Sequence, residues 1–174
     1  MSTSELDGFS AMDFPPDIDI NQHDKKLFYT LDEANKMIPE LELAFIRIQQ
    51  MQVQVQNLFK IIKKQGIDFI PRDNKELFLL YETLDDDSTD IISSLKLLLT
   101  NIQDEINSLN ERGCNVASLE HGRVNWSSVL SGKEVLLSWH LGEQKITHWC
   151  DVDDSSHIRR PISELNHLEE LAQV

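Results

Sequence analysis

The sequence predicts an α+β protein, a long antiparallel helical hairpin packed with a small three-stranded antiparallel sheet. Three observations predict it. Apolar residues recur with helical period from Leu31 to Ile62 and again from Leu77 to Leu109. Gly66 and Pro71 mark a short turn between those segments. Beyond Gly113 the apolar period changes to two, the signature of half-buried strands.

Residues 1–27 are expected to be a disordered acidic tail. They carry Asp7, Asp13, Asp17, Asp19 and Asp24 with Pro15-Pro16, too little apolar surface to offset the entropy of ordering. Residues 28–113 form the hairpin, residues 114–162 a β-meander, and residues 163–174 a short helix or tail; 28–162 make one domain. Thr30-Leu31-Asp32-Glu33 is a capping box that starts the first helix. Its seam reads Leu31, Ala34, Ile38, Leu41, Phe45, Ile48, Gln52, Val55, Phe59 and Ile62, flanked by Met37, Ala44, Met51 and Leu58. Pro39 lies inside that pattern, so a kink or a restart is expected near it. The second helix runs from about Asn74 to Arg112, and Gly113 ends it in a left-handed cap. Asp85, Asp86, Asp87 and Asp90 point different ways on this helix and read as a solvated face.

Three strands follow, Val124 to Leu130, a second bearing Val135, Leu137, Trp139 and Leu141, and a third from Ile146 to Val152. A turn centred on Gly142-Glu143 would set Leu137 opposite His148 and Trp139 opposite Ile146. His140, Lys145, Thr147, Trp149 and Asp151 would then face outward. Ile162, Leu165, Leu168 and Leu171 suggest a terminal helix.

Composition narrows the function. Thirty acidic residues against sixteen basic ones give a net charge of −14, which argues against nucleic acid and against anionic membranes. No run approaches 18 apolar residues, and no basic segment leads into an apolar one at the N-terminus. With only Cys114 and Cys150, no disulfide framework is implied, and a cytoplasmic protein with reduced thiols is expected.

The chemistry-bearing residues concentrate between Trp139 and Ile162. Glu143 in the turn, an exposed Trp149, Arg159 and Arg160 form a candidate binding patch; guanidinium can grip a carboxylate or phosphate, although a local ion pair with Asp151, Asp153 or Asp154 also accounts for the arginines. His148, Cys150 and Asp151 are competent ligands for a zinc-like metal, yet alternation sends Asp151 to the opposite face from the other two. No cofactor is favoured. A reactive Cys150 would need His148 beside it, two residues along the strand, and a buried cysteine more often acts as a small hydrophobe.

Two stretches resemble a bacterial family known as domain of unknown function 2203. One is Phe28-Tyr29-Thr30-Leu31-Asp32-Glu33-Ala34-Asn35 with Ile38-Pro39-Glu40-Leu41; the other is Gly132-Lys133-Glu134-Val135 with Trp139, Leu141-Gly142-Glu143, Ile146, Trp149, Arg159 and Pro161-Ile162. The resemblance covers about residues 28–162 and implies the same helical hairpin with a small antiparallel sheet. This chain departs from it at Cys150, where histidine is usual, and at Ser155-Ser156, where glycine and an aromatic are usual. It implies no particular activity.

Helical faces broader than one hairpin and one small sheet can cover point to a homodimer. The expected function is a non-enzymatic interaction or scaffold module with a possible protein partner at the patch. The alternative is a small metal-dependent or anion-binding enzyme centred on the third strand.

Overall fold

A computed structural model of the protein describes residues 26–66, 86–156 and 158–165. The elements are α1 (Leu31–Lys64), α2 (Asp86–Glu111), β1 (Asn115–Ser118), β2 (Arg123–Leu130), β3 (Lys133–His140), β4 (His148–Asp151) and β5 (Arg160–Pro161). The acidic tail through residue 25, the turn at residues 67–85 with the first turns of helix two, and Leu168 and Leu171 lie outside the described residues. The described chain divides into two compact units: residues 46–66 with 86–105, and the remainder.

Helix α1 begins as the capping box requires. The Glu33 N–H donates to Thr30 Oγ1 at 3.2 Å, and the Thr30 N–H donates to Glu33 Oε2 at 2.8 Å. Pro39 does not split the helix, which is continuous to Lys64. Its ring lies on the exposed side, where water can satisfy the carbonyl that loses its helical donor. The predicted seam is the buried face: Ala34, Ile38, Leu41, Phe45, Ile48, Val55, Phe59 and Ile62 are all 4% exposed or less. On α2 the buried line is Ile92, Leu95, Ile102, Ile106 and Leu109. One ion pair ties the two helices within each unit, Arg47 to Glu105 in one and Glu40 to Arg112 in the other.

The end of α2 has a Schellman geometry. Gly113 sits at φ 79°, its N–H donates to the Asn110 carbonyl at 2.9 Å, and the Cys114 N–H donates to Leu109 at 3.0 Å. Tyr29 packs over this cap and donates its hydroxyl to the Arg112 carbonyl. The Tyr29 N–H in turn donates to Ser127 of β2 at 2.9 Å, so the segment leading into α1 is sewn to the sheet.

The sheet has five strands rather than three, in the order β1-β2-β3-β4-β5, each antiparallel to its neighbours. The two additions are short edge strands. β1 is interrupted by a register shift between Val116 and Ser118, and β5 is a two-residue segment containing Pro161. Neither is long enough to display a period.

The register of β3 and β4 also corrects the expectation. Leu137 pairs with Trp149 and Ser138 with His148, one residue away from the predicted alignment. A one-residue slip moves every β4 side chain to the other face. Trp149 is therefore not an exposed outer-face residue; it is 4% exposed and clusters with Val135 and Leu165, flanked by Leu130 and Ile162. The cause lies in the connection. The turn is closed by the Glu143 N–H donating to the His140 carbonyl, with Gly142 at φ 99°, so Leu141-Gly142 is its centre. Residues 144–147 do not pair with β3; Ile146 instead gives its N–H to Asn35 Oδ1 of α1 at 2.8 Å. One face of the sheet thus carries Val124, Trp126, Val135, Leu137, Trp139 and Trp149, with Trp139 meeting Phe45 of α1 at 6.3 Å between ring centroids.

Candidate functional site

The opposite face is polar where a sheet face would ordinarily be apolar or wet. Alternation places Arg123, Asn125 and Ser127 of β2, Leu136, Ser138 and His140 of β3, and His148 and Cys150 of β4 there. Ser138 and Cys150 are 0% exposed and Asn125 is 2% exposed. In the β2–β3 ladder Arg123 lies opposite His140, and Asn125 lies opposite Ser138.

Arg159, just before β5, fastens onto this block. Its Nε donates to Ser138 Oγ at 3.1 Å, and its Nη2 donates to the Ser138 carbonyl at 3.1 Å and to the Glu143 carboxylate at 2.7 and 2.9 Å. Its Nη1 faces His140 Nδ1 at 3.5 Å. Glu143 also accepts the His140 N–H at 2.8 Å, and its carbonyl accepts Trp139 Nε1 at 2.8 Å. Arg123 reaches Cys150, with Nη2 3.3 Å from Sγ.

These neighbours set the charge states. Burial lowers the His140 pKa, and the Arg159 guanidinium lowers it further against the opposing pull of Glu143. Burial pushes the Glu143 carboxyl up, but the hydrogen bonds from Arg159 and from the His140 N–H more than reverse this, leaving it below the ordinary carboxylate range. At neutral pH these shifts favour a neutral His140 imidazole beside an ionised Glu143 carboxylate.

The structure divides the predicted patch in two. Glu143 and Arg159 come together as an ion pair on the polar face. Trp149 and Arg160 lie on the other face, where the Arg160 guanidinium stands 5.6 Å from the indole centroid and Lys133 Nζ stands at 4.9 Å. Arg160 and Lys133 both pair with Asp151. Of the residues considered for a metal, His148 and Cys150 share the polar face while Asp151 is turned away and engaged by those two cations. Among the described residues no three His, Cys, Asp or Glu side chains are grouped as a metal would require. The other cysteine, Cys114, is buried beneath the α2 cap, and burial pushes its thiol up to about 11, which keeps it protonated.

Arg123, Asn125 and Ser138 were not among the predicted site residues. The signal was present as a run of alternate polar residues, Arg123-Asn125-Ser127, facing Ser138 and His140; it reads as a wet face until the burial is known.

A second unassigned feature lies on α1. Ile46, Val53 and Ile61 are 48%, 55% and 43% exposed, and their spacing aligns them along the side of the helix opposite the buried seam. Residues 48–59 between and around them contain no charged side chain and six amides, Gln49, Gln50, Gln52, Gln54, Gln56 and Asn57.

Fold and site together define an α+β protein, with two long helices, a five-stranded antiparallel sheet and a buried polar cluster on one sheet face among the described residues. The chain belongs to the uncharacterized conserved protein family DUF2203, whose model matches residues 27–162. No curated protein and no solved structure matches it.

Proposed function

We propose that this protein is a cytoplasmic, non-catalytic interaction module that self-associates through its helices, with α1 and α2 forming an antiparallel hairpin and the solvent side of α1 seating a second copy. The stripe Ile46-Val53-Ile61 carries this reading. Single exposed aliphatics are ordinary, but three on one line of one helix make a seam that lies open among the described residues. Two ion pairs support the hairpin: a step of seven residues along α1, from Glu40 to Arg47, matches a step of seven back along α2, from Arg112 to Glu105.

A chain with net charge −14 repels its own copy, so a second molecule must approach where charge is lowest. Residues 48–59 are such a place, and an Asn or Gln within the seam can pair with its own counterpart and set register. No described helix is long and apolar enough to cross a membrane, so the apolar stripe is not part of a span.

The test is the pair of substitutions Ile46→Glu and Val53→Glu. Both side chains are about half exposed, so the fold should survive, with helicity and tryptophan fluorescence unchanged. Gel filtration with light scattering should then show a dimeric parent and a monomeric variant. A parent that is monomeric at micromolar concentration, or a variant that remains dimeric, would overturn the proposal.

A further inference from the structure

The C-terminal half of α1 is basic as well as apolar on its solvent side. Val53 and Ile61 are 55% and 43% exposed. Lys60, Lys63 and Lys64 are exposed beside them, and among the described residues none of the three forms an ion pair. Val53, Asn57, Lys60 and Lys64 follow one line of the helix, with Ile61 next to it. From Leu43 to Gly66 there is no acidic residue, in a protein of net charge −14. The dipole at a helix C-terminus accounts for Lys63 and Lys64 by itself. It does not account for Lys60 a turn earlier, or for two exposed aliphatics on the same side.

The complementary chemistry lies in the same chain. Residues 1–25 carry six acidic residues, among them Asp13, Asp17 and Asp19, against Lys25 alone. Phe9, Met12, Phe14, Ile18 and Ile20 are interleaved with them. Reach is sufficient. At about 1.5 Å per residue α1 rises roughly 33 Å from Leu31 to Val53 and roughly 50 Å to Lys64. Residues 1–25 in extended form span up to about 80 Å. A segment tethered in this way meets its site at an effective concentration on the order of millimolar, which a separate second copy must overcome.

We propose that residues 1–25 dock on the solvent side of α1 between Val53 and Lys64 and so compete with a second copy of the chain for the stripe. Apolar side chains of the segment cover Val53 and Ile61, and its carboxylates meet Lys60, Lys63 and Lys64. The competition, though not the docking, rests on the reading of the stripe as the self-association surface. A dimer needs the stripes of both copies, so a segment docked half of the time weakens it about fourfold. Added salt loosens the docked segment and screens the repulsion between chains, and both effects favour the dimer.

Carbodiimide coupling of the full chain at submicromolar concentration joins carboxylates to the amines they touch, and peptide mapping of the monomer-mass product locates the bonds. The expected links run from Asp13, Asp17 or Asp19 to Lys60, Lys63 or Lys64, and added salt suppresses them. No such links, or links spread evenly over these lysines and the exposed Lys96 and Lys145, would overturn the docking. Competition is read by sedimentation equilibrium of Phe14→Ser/Ile18→Ser, which leaves the net charge at −14. Its dimer should be tighter than that of the parent by at least about fourfold. Links at the α1 lysines with a dimer of unchanged strength would overturn the competition. The same links with no dimer in either protein would uphold the docking and remove the competition together with the self-association reading.

Discussion

Gly113 is the residue at which two demands meet. Its φ of 79° suits the helix cap, and a Cβ there would stand 2.5 Å from Tyr29 Cε2. Gly113→Ala should therefore cost more than the roughly 1–2 kcal/mol of left-handed backbone alone, because the ring of Tyr29 must also move. Tyr29→Phe removes only the hydroxyl's bond to the Arg112 carbonyl and should cost about 0.5–1.5 kcal/mol. Urea denaturation of both variants checks the order of the two effects. Another residue-scale consequence concerns pH. His140 and Glu143 both have lowered pKa values in the fold, so the unfolded chain takes up their protons first. The stability they confer is present above the unfolded values and is lost on acidification, from about 6.5 downward for the imidazole and about 4.5 for the carboxyl. His140→Gln should flatten the upper part of that decline in a plot of urea midpoint against pH. An unchanged profile would show that the cluster does not hold the imidazole neutral.

At the scale of elements, the helices were legible and one strand register was not. The capping box, the α1 seam and the Gly113 cap each rest on interactions within a few residues, so spacing alone reveals them. The face of β4 depends instead on how residues 141–147 are spent, and that is decided by Asn35 of α1 drawing Ile146 out of the ladder. No local pattern records that contact, and the resulting slip misplaced Trp149 and Cys150 together. With its true position known, Trp149→Ala should behave as a core truncation and cost about 3–5 kcal/mol, far above the effect of losing an exposed contact residue. Tm and urea midpoint measure it. Pro39 gives the opposite expectation. It interrupts the hydrogen bonding of a continuous helix at an exposed position, so Pro39→Ala should stabilise the protein by up to about 3 kcal/mol. Destabilisation by Pro39→Ala would mean that the proline sets a bend on which packing depends.

For the molecule as a whole, the sequence conveys architecture more readily than purpose. Acidity, the lack of a long apolar run and the two stretches of family likeness all appear in the chain itself. The polar cluster does not, because Ser138 and Asn125 look like ordinary solvent-facing residues until their burial is known. The surface proposed for self-association was half visible: the breadth of the α1 apolar face could be read, whereas the separate stripe on its solvent side emerged only from exposure. Its charge-free setting makes a salt-dependent prediction. Raising ionic strength screens the repulsion between two chains of net charge −14, so the dimer should tighten with added salt, where one held by intermolecular ion pairs would weaken. Sedimentation equilibrium of the full chain at micromolar concentration is the most direct test of self-association. We expect a mass twice the 20.1 kDa of the chain, with tighter association at higher salt. A single-chain mass across the concentration range would contradict the account and leave the α1 stripe without a role.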